Sequence, residues 1–147
     1  MVTIDDMYQA FGQLKVREQI PELVKKTQYQ LITKVIGQRD KGIDGSGQKI
    51  TPSYASSYYS KFKASLNPAP GFGTPDGKVT GLYNSELSLD TNNDTYTIDS
   101  AVDYAQAASL VQYGNNFNLP DDQSKEEYWD ETLAPEIQDY IRNGLGI

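Results

Sequence analysis

Residues 85–100, SELSLDTNNDTYTIDS, decide the fold class. Leu87 and Leu89, then Tyr96 and Ile98, alternate with polar residues, which is the period of a strand with one buried face. Thr91-Asn92-Asn93-Asp94 is turn chemistry, so the spacing predicts an antiparallel hairpin of 85–90 and 95–100.

Helical patterns lie on both sides of that hairpin. In 20–38, Ile20, Leu23, Val24, Thr27, Leu31 and Val35 recur at three- and four-residue spacing, with Lys25, Lys26, Gln28 and Gln30 turned away. Pro21 suits the first turn of this helix, where a missing N–H costs nothing. Residues 5–19 carry Met7, Phe11 and Leu14 on one side and read as a further helix, weakened by Gly12. After the hairpin, 101–113 has the pattern of a short helix closed by Gly114. Ser124-Lys125-Glu126-Glu127 then resembles a capping box for a C-terminal helix. Trp129, Leu133, Ile137 and Ile141 give that helix an apolar face, Pro135 must kink or divide it, and Gly144 is its expected stop.

The remaining segments are connections. Residues 39–50 hold Asp-Gly and Ser-Gly pairs between Ile43 and Ile50, predicting a tight reversal between two short extended pieces. Thr51-Pro52 is an N-cap and first-turn proline for a helix bearing Tyr54, Tyr58 and Phe62 at i, i+4 and i+8. Residues 66–78, LNPAPGFGTPDGK, form a Gly/Pro-rich loop. The expected fold is therefore α+β: a long N-terminal helix and a C-terminal helix packed on a small antiparallel β-sheet, in a single domain spanning 1–147.

Composition removes several function classes. The chain has no histidine and no cysteine, so Ser-His and Cys-His triads and the usual zinc sites are excluded. No G-x-S-x-G elbow is present, and the glycines of 42–47 are not followed by the Lys-Ser/Thr of a P-loop. Asp40, Asp44 and Gly45 match positions one, five and six of a calcium loop, but Gly42 and Thr51 stand where ligands are needed at three and twelve, so a hairpin turn is expected. The acidic pairs Asp121/Asp122, Glu126/Glu127 and Asp130/Glu131 are sequence neighbours that do not face each other on a helix. They read as a solvated face rather than a glycosidase pair. The expectation is no catalytic residue, no cofactor and no metal.

The Tyr54/Tyr58/Phe62 stripe is open to two readings, a stacking platform or core packing, and helical spacing favours the core. Tyr59 falls off the stripe and fits subunit contact, since tyrosine is enriched at interfaces. A net charge of −7 argues against a grip on nucleic-acid phosphates. No stretch has the length of apolar residues that spans a membrane. The opening MVTIDDMYQAFG lacks the regions of a secretory signal, which makes a cytosolic origin the expectation, although a cysteine-free chain fits secretion nearly as well.

Three segments together resemble the small tailed-phage morphogenesis proteins that complete the head, neck or tail. The first is 38–54, with Gln38-Arg39-Asp40-Lys41-Gly42-Ile43-Asp44-Gly45 running into Ile50-Thr51-Pro52-Ser53-Tyr54, followed by Tyr58 and Lys61. The second is Val79-Thr80-Gly81-Leu82-Tyr83-Asn84-Ser85, similar to the family's turn into a hairpin. The third is Tyr113-Gly114-Asn115-Asn116-Phe117-Asn118-Leu119, similar to the segment before its last helix. They run in the family's order over about residues 20–145; this chain departs from it in having few basic residues near the tyrosine-rich helix and a long 66–78 loop. The resemblance implies a non-enzymatic virion subunit in the neck or tail region, made in the host cytoplasm. It implies a homo-oligomeric ring, a hexamer or dodecamer, that contacts a portal or adaptor protein and tail proteins, with packaged DNA passing through. Two rival expectations are a cellular adaptor using a tyrosine-rich surface and a hydrolase acting through Asp44, Asp121 or Glu127.

Overall fold

The computed structural model of the chain describes residues 3–51, 53, 57–66, 75, 77, 82–92, 94–101, 113 and 115–147. Most of the expected helix at 101–113, most of the 66–78 loop, Tyr54 and the Thr80-Gly81 turn lie outside them.

Three helices open the chain: α1 (Ile4–Gln13), α2 (Val16–Lys26) and α3 (Gln28–Asp40). Thr3 and Asp6 form a reciprocal capping box on α1. Lys15, in the left-handed region at φ 46°, turns the chain into α2. The helix expected over 20–38 is thus two helices with a shifted start. Pro21 lies inside α2, where it removes the single bond its nitrogen would give the Arg17 carbonyl. The division falls at Thr27, which is buried. Its hydroxyl lies 2.8 Å from the Leu23 carbonyl and 2.6 Å from the Tyr128 hydroxyl.

Residues 43–50 form the expected reversal, with Ile43 bridged to Lys49. Asp44 Oδ1 accepts from the backbone N–H and the hydroxyl of Ser46, at 2.9 and 2.6 Å. Beyond α4 (Ser57–Leu66) and the single turn α5 (Leu82–Ser85), β1 (Leu87–Asn92) pairs antiparallel with β2 (Thr95–Ser100). Leu89 faces Ile98 across the pair, and both are buried against Val24, Leu31, Ile32, Val35, Tyr128 and Leu133. The hairpin stands as expected, with each strand ending within two residues of its predicted limit.

The C-terminal helix starts before Ser124. Asp121 is its N-cap, accepting from the Ser124 N–H at 2.8 Å, and α6 covers Asp122–Tyr128. A π-helical turn, Trp129–Leu133, joins it to α7 (Ala134–Leu145). Pro135 cannot donate to a carbonyl one turn back, and the wide turn ahead of it is the form that its division of the helix takes. The five-residue spacing also rotates the apolar face, so that Tyr128 and Leu133 are buried and Trp129 is half exposed. Gly144 is not the stop, because the helix ends at Gly146 in the left-handed region. A side chain at Gly144 would overlap Leu14, whose carbonyl accepts from Tyr140 Oη at 2.8 Å. The chain is α+β, with helices at both ends packed on a two-stranded antiparallel sheet.

Candidate interaction surface

A second apolar cluster, Ile50, Tyr83, Tyr113 and Phe117, joins the first through Leu87. Arg39, at the end of α3, is fully buried beside it. Its guanidinium carbon lies 4.8 Å from the Phe117 ring centre and 5.5 Å from that of Tyr83, within the range of cation–π attraction. Nη1 donates to Asn118 Oδ1 at 3.4 Å, and the Tyr83 hydroxyl also reaches that oxygen, at 2.9 Å. Burial is the main reason the Tyr83 phenol titrates above its ordinary range.

The neighbouring Gln38 is 4% exposed and ties three segments together. Nε2 donates to the Leu119 carbonyl at 2.6 Å, while Oε1 accepts from the Asp121 N–H at 2.8 Å and the Ser124 hydroxyl at 3.3 Å. Gly45 donates to the Asn116 carbonyl at 2.8 Å. A Cβ on Gly45 would stand 2.7 Å from Leu119, so the 43–50 reversal lies directly on the 115–119 segment. Residues from each of the three sequence signatures therefore meet in one packed assembly. Neither Gln38 nor Arg39 was singled out as a buried hub by the sequence pattern.

The carboxylates considered for hydrolysis each have a local structural contact. Asp44 closes the reversal and Asp121 caps α6. Glu127 pairs with Lys34 at 3.0 Å, and Glu131 pairs with the same ammonium at 2.9 Å. The Lys34 hydrogen bond, followed by that from Gln123, holds the Glu127 carboxyl below its ordinary range, opposite to the shift a general acid needs. The spacing Ser-x-x-Lys occurs at Ser46–Lys49 and Ser60–Lys63. Ser46 directs its hydroxyl to Asp44, and Ser60 and Lys63 are both buried. Among the described residues, no three His, Cys, Asp or Glu side chains cluster as metal ligands, and no helix is long and apolar enough to cross a membrane.

The surface offers apolar helix faces instead. On α4, core packing of the tyrosine stripe is overturned: Tyr58 is 80% exposed and Phe62 and Leu66 are exposed beside it, while Ser60 and Lys63 are buried. Periodicity places Tyr58 and Phe62 on one face without saying which way that face points. On α1, Ile4 and Tyr8 are 85% and 78% exposed, and Phe11 extends their stripe at i, i+4 and i+7. The sequence pattern grouped Phe11 with Met7 and Leu14. In the structure those two are half-buried and Phe11 faces outward. Tyr29 and Trp129 are exposed as well. Comparisons with protein-family models, curated proteins and solved structures find no match to this chain.

Proposed function

We propose that the chain is a non-enzymatic structural subunit of a tailed-phage head-to-tail connector, a neck or tail-completion ring joining a portal or adaptor to the tail. The observation that carries this reading is the convergence of the three signatures. Gln38, Arg39, Gly45 and Ile50 from the first pack with Tyr83 from the second, and with Tyr113, Phe117, Asn118 and Leu119 from the third. Apolar residues of any folded chain bury together, but here the residues that meet come from all three signatures, as motifs of one scaffold would.

Two further features support it. Exposed aromatic and aliphatic residues along α1 and α4 suit contacts with other subunits, because burying them on assembly removes apolar area from water. The excess of carboxylates, −7 overall, suits a lumen through which DNA slides without being held.

The test is made on tailed particles released from cells that encode the chain. Mass spectrometry is expected to find it in purified particles, and immunogold labelling is expected to place it at the junction of head and tail. A strict monomer absent from purified particles contradicts the proposal. A stable 1:1 complex with a host protein in its place would favour an adaptor that uses the tyrosine-rich surface.

A further inference from the structure

The exposed faces of α1 and α4 are both apolar, similar in length and opposite in edge charge. The α1 stripe from Ile4 through Tyr8 to Phe11 runs seven residue steps, and the α4 stripe from Tyr58 through Phe62 to Leu66 runs eight, about 10 and 12 Å of helix. On a helical wheel Asp5 flanks the first stripe and Lys61 the second, and both are exposed. Over 4–13, α1 contains Asp5 and Asp6 with no lysine or arginine, whereas the exposed charge of 57–66 is Lys61, with Lys63 buried and no carboxylate. Pairing α1 with α1 would bring Asp5 towards Asp5, and pairing α4 with α4 would bring Lys61 towards Lys61. Only the mixed pair joins apolar stripe to apolar stripe with opposite charges at the edge.

We infer that the α1 face of one copy docks on the α4 face of the next. The inference rests on the connector reading and names the contact that would build its ring. Such a contact is heterologous: each copy uses two different faces, so the interface propagates and closes into a ring when the rotation per subunit allows.

Tyr8→Glu removes the first face and Phe62→Glu the second, and both positions are exposed, so each variant is expected to keep the far-UV circular dichroism of the parent. Each alone is expected to self-associate at least about tenfold more weakly by sedimentation velocity, as loss of an apolar anchor does. Mixed one to one, each retains the face its partner needs, and a dimer that grows no further is expected. Gly12→Arg and Tyr58→Glu serve as second variants; a Cβ at Gly12 meets nothing within 4 Å, so the α1 face can be altered there without touching the core. Asp5→Lys and Lys61→Asp should each weaken association, and the two combined in one chain should restore it. A wild-type oligomer retained by either single-face variant, or a mixture that stays monomeric, overturns the pairing and leaves the ring standing. A wild-type chain that stays monomeric at every concentration overturns pairing and homo-oligomeric ring together.

Discussion

Replacing Gln38 with leucine probes the tie that holds α3 to the start of the C-terminal helix. The wild-type amide gives one hydrogen bond to the Leu119 carbonyl and takes two, from the Asp121 N–H and the Ser124 hydroxyl. Leucine fills much of the space but neither donates nor accepts, so a main-chain carbonyl and a main-chain N–H lose their partner. Leu119 and Asp121 are half-buried, and water reaches them partly, so each loss costs about 1–2 kcal/mol and the pair about 2–4 kcal/mol. Urea unfolding followed by circular dichroism and Trp129 fluorescence measures this. A loss below about 0.5 kcal/mol with an unchanged slope would show that these hydrogen bonds do not tie α3 to the C-terminal helix. Gln38→Glu sharpens the test. The protonated acid keeps one donor for Leu119 and one acceptor for Asp121, whereas the carboxylate turns an oxygen on a carbonyl. Its folded pKa is therefore raised above the unfolded value of about 4.3. The variant's deficit should be smallest below that pH and should grow as pH rises through the folded pKa. A deficit constant from about pH 4 to pH 8 would show that the amide proton on Leu119 carries no weight.

Three other perturbations test separate parts of the fold. Leu89→Ala empties a site 1% exposed at the centre of the larger cluster and is expected to cost about 2–5 kcal/mol in urea unfolding. Gly45→Ala places a methyl group 2.7 Å from the Leu119 carbonyl oxygen. Pushing the reversal off 115–119 should cost about 1–3 kcal/mol and speed amide exchange at Gly45, whose N–H bonds the Asn116 carbonyl. The Lys34 pairs predict a pH dependence. Glu127 is held below its usual value near 4.5, so its contribution is present above that pH and is lost as pH falls through the folded pKa. Lys34 is held above its usual value near 10.5, chiefly by Glu131 and then Glu127. Its contribution is present below that pH and is lost as pH rises through the folded pKa. Lys34→Met should flatten the acid limb of a stability–pH curve, and an unchanged slope would count against the pairs.

The hairpin was legible because both of its determinants are local: alternation at Leu87, Leu89, Tyr96 and Ile98, and turn residues between. The existence of the described helices was legible for the same reason, but their limits were not. Thr27 divides α2 from α3 beside a tyrosine 101 residues away, and Gly144 remains helical where Leu14 occupies the place of its side chain. Ser124 matches the capping pattern, whereas Asp121 has no such local signature. In the structure that serine is the third helical residue, directed at Gln38. The burial of Arg39 depends on Tyr83 and Phe117, which no window around α3 contains. The α4 stripe faces outward for a different reason: spacing groups residues on a face, but burial is decided by what the rest of the chain brings to it.

The proposed connector role requires this chain to build a closed ring, which class averages of the purified full-length protein in negative stain would reveal. The prediction is closed rings of one fixed subunit number around a central opening. Open filaments would contradict closure, and isolated monomers at every concentration would contradict the ring itself.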